Sequence, residues 1–207
     1  MALVDQVRLM VITDAALLKG RDPVTACRQA VAGGATMIQV RLKDAPAREV
    51  LALAGALVGA LSVPVIVNDR VDVALAAGAA GAHLGQEDPP LDRLRPHVPP
   101  GFLLGLSVGS TAEAERARAT PADYWSVGPC FATDTKSDAG PPLGPAGFAA
   151  VARLAPPGVP VIAIGGISAA TAGSLARAGA AGLAVIAAVW RASDPAAATR
   201  VLRAAFP

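Results

Sequence analysis

Aromatic side chains are scarce in this chain of 207 residues, at 3%, and charged residues reach only 16%, with a formal net charge of +2. Binding nucleic acid takes a basic field or rings that stack on bases, and this composition offers neither. Cysteine is limited to Cys27 and Cys130, too few and too far apart for a disulfide framework. A reduced, cytoplasmic setting is therefore expected. Long apolar runs are missing too. Stretches such as 183–190 (LAVIAAVW) fall well short of the ~20 residues that cross a bilayer, so no membrane partner is expected. The opening residues, MALVDQVRLMVITD, lack the basic head, long apolar run and small-residue cleavage site of a secretion signal. Hydrophobic residues, at 53%, are plentiful, which excludes a disordered chain. At ~150 residues per domain, one domain over 1–207 is the expectation.

Short β-branched and apolar runs recur at 7–12, 36–42, 63–67, 81–84, 102–107, 123–127, 159–164 and 182–187. Helix-like stretches separate them at 23–32, 46–60, 70–77, 91–95, 111–119, 145–154 and 168–178, with a last one at 195–205. Continuous apolar strands alternating with helices imply a parallel sheet covered by helices. Eight such units fit an α/β fold of one closed (β/α)8 TIM barrel. The phrases AGGATMIQV (32–40), AAGAAGAHL (76–84) and RAGAAGLAV (177–185) repeat one logic, a helix ended by Gly and then a buried strand. A doubly wound open sheet is disfavoured, because no GxGxxG turn follows the first strand.

In such a barrel, loops after strands build the active face, so polar residues at strand C-termini are the candidates. The second strand ends QVRLK, and alternation puts Gln39, Arg41 and Lys43 on one face with Val40 and Leu42 on the other. Two cations there suggest a bound anion at the mouth; the alternative is that Arg41 and Lys43 fray into solvent. The third strand ends with Asn68 and Asp69, and HLGQED (83–88) follows the fourth. Asp69, Glu87 and Asp88 then lie on adjacent loops, which suits Mg2+ held by carboxylates and substrate phosphate oxygens. Taken singly, Asp69 could instead cap the next helix, and Asp88 could serve the turn before Pro89.

Ser107 ends the fifth strand. The long stretch 128–144 carries Thr133, Asp134, Thr135 and Lys136, suited to phosphate or carboxylate binding or merely to a solvated loop. The seventh strand ends AIGGIS (163–168), where glycines let a ligand approach the backbone, and the eighth ends AVIAAV (184–189). Phosphate often sits between these two loops in barrels. Cys130 with His83 could be a nucleophile and base, but no orienting third group is evident, and a buried thiol and a structural histidine are favoured.

The motifs QVRLK (39–43), ND (68–69), HLGQED (83–88), GLS (105–107), GPCFATDTK (128–136) and AIGGI (163–167) together resemble the thiamine phosphate synthase family. The resemblance implies a transferase of thiamine biosynthesis. Hydroxymethylpyrimidine diphosphate would lose pyrophosphate through a pyrimidine-stabilised carbocation, and the nitrogen of a thiazole phosphate would take its place. It implies that Gln39, Val40, Arg41, Leu42, Lys43 and Asn68 hold the pyrimidine diphosphate, and that Asp69 and Asp88 bind Mg2+. Ser107 and Lys136 would reach the pyrimidine and its diphosphate. Thr133, Asp134 and Thr135 would contact the thiazole substrate, and Gly166, Ile186 and Ala187 would cradle its phosphate. Arg41, Lys43, Ser107 and Lys136 are the catalytic candidates. A homodimer is compatible with this reading.

Two positions depart from the family pattern. Leu42 stands where Glu is frequent, and Ala187 where Ser is common, which removes a hydroxyl but keeps a backbone N–H. The rival thiazole tautomerase branch uses a histidine shortly after the position of Ser107, and here that stretch reads SVGS. A phosphate-binding barrel isomerase would explain AIGGI alone. A barrel that binds thiazole or thiamine phosphate without turnover is the non-enzymatic rival.

Overall fold

The computed structural model describes residues 2–135 and 140–206. Eight parallel strands close into one barrel in sequence order: β1 (Leu9–Ile12), β2 (Met37–Val40), β3 (Val65–Asn68), β4 (Gly81–Leu84), β5 (Leu103–Val108), β6 (Tyr124–Val127), β7 (Val161–Ile164) and β8 (Gly182–Val185). Helices follow each strand, so the expected (β/α)8 architecture is present. The covering helices are α2 (Pro23–Ala32), α3 (Ala47–Ala60), α4 (Val71–Ala76), α5 (Leu91–Leu94), α6 (Thr111–Ala117), α7 (Gly144–Ala152), α8 (Ala169–Arg177) and α10 (Pro195–Arg203).

Local chemistry fixes several helix starts. Asp22 accepts from the Thr25 N–H, Ser110 from Glu113 and Asp194 from Ala197, while Ser168 and Thr171 form a reciprocal capping box. Two helices were not legible in the sequence. α1 (Leu3–Gln6) precedes the first strand, which starts at Leu9 and not at 7. α9 (Ala187–Trp190) occupies residues read above as the end of the eighth strand. The strand stops at Val185, and Ile186, at φ −126° and ψ −81°, turns the chain into a helix.

Side chains alternate along each strand. Leu9, Val11, Ile38, Val40, Ala82, Leu104, Trp125 and Val127 pack outward against helices, in one large cluster. Met10, Ile12, Met37, Ile66, Tyr124, Ile162 and Ala184 fill the barrel interior. The registers close with the eight-residue shear typical of this fold, so a step of two strands and two residues stays at one height. The lumen therefore stacks in layers. From the mouth downward they are Ile12, Asn68, Ser107 and Ile164; then Gln39, His83, Ser126 and Ala184; then Met10, Ile66, Gly105 and Ile162; and last Met37, Gly81, Tyr124 and Gly182.

Two apolar layers thus support two that carry polar groups. Gly105 is what lets the Tyr124 side chain rise through the third layer, because a Cβ there would overlap the phenol and the His83 ring. Gly105→Ala is expected to cost about 1–3 kcal/mol by overpacking, or roughly 2–12 °C in Tm. Thermal denaturation checks this, and an unchanged Tm would show that the lumen repacks freely.

Candidate active site at the barrel mouth

An open cavity of about 1500 Å³ occupies the C-terminal end of the barrel. Its walls include Gln39 to Lys43, Asn68, Asp69, Asp88, Ser107, Thr133 to Thr135, Gly166, Ile186 and Ala187. The sequence candidates therefore converge on one concavity. Lys136 lies outside the described residues.

The second strand ends sooner than expected, at Val40, so Arg41 and Lys43 do not share a strand face with Gln39. The reason lies in Thr13. Its buried hydroxyl accepts from the Arg41 N–H at 2.9 Å and donates to the Arg41 carbonyl at 3.1 Å, replacing the next rungs of the ladder. Gln39 alone points into the lumen, where its amide donates to the Met10 sulfur at 3.4 Å. Arg41 is half-buried over the mouth, 4.0 Å from Asp14, and Lys43 is exposed. Both still line the cavity. Thr13 and Asp14 were missed, although the strand-end criterion stated above points to them.

The carboxylates take positions the turn chemistry explains only in part. Asp69 sits at φ 62°, a left-handed conformation that Asp tolerates better than most residues, and its N–H donates to the His83 carbonyl at 2.8 Å. It is not a helix cap, since Arg70 holds the cap position of α4. Asp88 does serve a turn, because its Oδ2 accepts from the Gly85 N–H at 2.6 Å. Both carboxylates line the cavity, and so does Glu87.

Beneath them runs a buried relay. The Tyr124 hydroxyl lies 2.9 Å from His83 Nδ1, and His83 Nε2 lies 3.0 Å from Ser107 Oγ. His83 is thus engaged by Tyr124 and Ser107, not by Cys130. The Cys130 thiol is buried, donates to the Val127 carbonyl at 3.4 Å, and is pushed up to about 12 by desolvation. A thiol of that acidity is no nucleophile at neutral pH.

Across the mouth, Gly165 and Gly166 adopt φ of 94° and 62°. A Cβ on Gly166 would run into the Ala132 carbonyl oxygen, so the glycine backbone packs directly on the 128–144 stretch. Within that stretch, Thr133 Oγ1 accepts from the Thr135 N–H at 3.3 Å. The Asp134 carboxylate accepts from Arg191 at 2.7 Å, and this pairing lowers its pKa. Its side chain therefore faces Arg191, just past α9, a cation that sequence reasoning missed. Among the described residues, no cluster of three or more His, Cys, Asp or Glu side chains is disposed to hold a metal ion. Nor is any helix there long and apolar enough to cross a membrane.

Comparison with known proteins identifies the family. The family described as thiamine monophosphate synthase matches residues 9–189. A thiamine-phosphate synthase of Roseiflexus castenholzii is 48% identical over 195 residues, covering 93% of this chain and 85% of the relative. One from Methanoculleus marisnigri is also 48% identical, covering 94% and 93%. Among solved structures, thiamine phosphate pyrophosphorylase from Pyrococcus furiosus superposes with a TM-score of 0.86 at 37% identity, covering 98% of this chain and 96% of that one. A 3-hexulose-6-phosphate synthase, with a TM-score of 0.72 at 20% identity, shares the barrel alone. With a family match spanning every strand, and its motifs gathered around one barrel mouth, the chain belongs to the thiamine monophosphate synthase family.

Proposed function

We propose that this mouth joins hydroxymethylpyrimidine diphosphate to thiazole phosphate, releasing pyrophosphate and forming thiamine phosphate. The observation that carries the reading is the convergence of Arg41, Lys43, Asp69 and Asp88 on the same cavity as the Gly165–Gly166 and Ile186–Ala187 backbone. Arg41 and Lys43 bind the diphosphate. Asn68 and Ser107, in the uppermost lumen layer, hold the pyrimidine end, with Gln39 one layer below. Lys136 completes the diphosphate site. Thr133 and Thr135 contact the thiazole, Asp134 contributes through its backbone, and Gly166, Ile186 and Ala187 receive the thiazole phosphate.

The donor set fits Mg2+. Asp69 and Asp88 are hard oxygen donors from neighbouring strand ends, with no thiol between them, and Mg2+ is commonly held by one or two carboxylates plus water and substrate phosphate oxygens. When bound, the ion neutralises charge on the departing pyrophosphate. The Gly85 N–H orients the Asp88 carboxylate for that task.

The chemistry asks little covalent work of the protein. The C–O bond to the diphosphate breaks with its electron pair leaving on pyrophosphate, and the thiazole nitrogen lone pair forms the new C–N bond. Fixed cations stabilise the leaving charge, and the cavity holds the nitrogen in line. No side-chain nucleophile is needed, which agrees with the inert Cys130.

The test is a product assay on the purified protein. Thiamine phosphate and pyrophosphate are expected in equal amounts, only with both substrates and Mg2+ present. Binding of both substrates without any product would favour the non-catalytic alternative.

A further inference from the structure

Two buried side-chain polar atoms lack a hydrogen-bond partner among the described residues: Trp125 Nε1 and Ser126 Oγ. They differ in kind. Trp125 faces the helices, inside the outer apolar cluster. Ser126 faces the lumen, is only 2% exposed, and lines the cavity at the mouth. A buried hydroxyl left unpaired is costly, and native structures seldom leave one so without a reason.

The strand registers say what surrounds it. Ser126 pairs with Ser107 across β5 and β6, and lies level with Gln39, His83 and Ala184. Ser107 is already engaged by His83 at 3.0 Å. Ser126 is the hydroxyl that the protein leaves unmatched on this floor. A hydroxyl can donate one hydrogen bond and accept others, so it suits the edge of a nitrogen heterocycle. Ile12, Ile164 and Ala184 supply apolar walls around the same floor. The floor is thus polar at the edge and apolar at the faces, which is the complement of a flat pyrimidine ring.

We infer that Ser126 is a specificity residue that hydrogen-bonds the heterocycle of the diphosphate substrate. The inference rests on the reaction proposed above and deepens it: the rim holds the diphosphate, and the second lumen layer reads the ring.

The test compares two probes by calorimetric titration with Mg2+ and without thiazole phosphate. They are hydroxymethylpyrimidine diphosphate and pyrophosphate alone. Ser126→Ala is expected to weaken the pyrimidine diphosphate about 3- to 10-fold, the range of one lost hydrogen bond, and to leave pyrophosphate unchanged. Its Tm should match or exceed that of the unaltered protein, since an unpaired buried hydroxyl is gone. Ser126→Cys, nearly the same volume but a weak hydrogen bonder, should behave like Ser126→Ala. Unaltered affinity for the pyrimidine diphosphate in both variants, or equal weakening of both probes, would overturn the inference alone. Unaltered protein that takes pyrophosphate but not the pyrimidine diphosphate would overturn the proposed reaction together with it.

Discussion

Asp88→Asn should lower turnover at limiting Mg2+ by ~100-fold or more, with little change in Tm. Replacing even an outer partner of a metal site typically costs 10- to 100-fold, and a direct ligand should cost at least as much. Asn is a sharper substitution here than Ala. Its amide oxygen can still accept from the Gly85 N–H, the bond that Asp88 Oδ2 makes at 2.6 Å, so the turn before Pro89 survives. What disappears is the negative charge. The Mg2+ concentration for half-maximal rate should therefore rise, and excess Mg2+ should restore part of the activity. A steady-state titration of Mg2+ reads both effects. An unchanged rate at limiting Mg2+ would remove Asp88 from the metal site and leave it a turn residue.

Gly166→Ala should raise the KM for thiazole phosphate at least ~10-fold, equivalent to about 1.4 kcal/mol, while affecting the pyrimidine diphosphate much less. Two effects combine. Gly166 sits at φ 62°, where an L-residue pays roughly 1–2 kcal/mol. The added methyl would also overlap the Ala132 carbonyl oxygen, which is backbone and cannot swing aside. Relief requires the Phe131–Ala132 segment or the Gly165–Gly166 turn to shift, and both border the place assigned to the phosphate. Measuring the two KM values separately distinguishes this from general destabilisation, which would lower the active fraction without favouring one substrate. Equal change in both would place the thiazole phosphate elsewhere.

Most of the barrel was legible because its signal repeats. Eight apolar runs, each followed by a helix-like stretch, leave few architectures that bury both faces of every strand. The rule that polar residues at strand C-termini face the mouth pointed to Arg41, Lys43, Asn68, Asp69 and Ser107, whereas the roles of Lys136, Gly166, Ile186 and Ala187 came from the family resemblance. Where the reading failed, the missing information was three-dimensional. The AAVW run of α9 is as apolar as a strand, and short apolar runs do not declare their period. Arg41 left the strand, and Lys43 with it, because a threonine distant in sequence, Thr13, captured the Arg41 N–H and carbonyl. Arg191 follows directly on α9, the helix the sequence did not announce, and meets Asp134 at the mouth. Ser126, set between Trp125 and Val127, has no local signature at all. Only the register around the closed barrel puts its hydroxyl on the floor of the cavity.

One arrangement underlies the proposed reaction: cations and carboxylates sharing a single rim with a backbone cradle opposite. A crystal structure of the protein with Mg2+, pyrophosphate and thiamine phosphate tests it most directly. The expected result is pyrophosphate against Arg41 and Lys43 with the metal on Asp69 and Asp88, and the thiamine phosphate group on Gly166, Ile186 and Ala187. Pyrophosphate bound away from the mouth, or a metal that touches neither carboxylate, would contradict it.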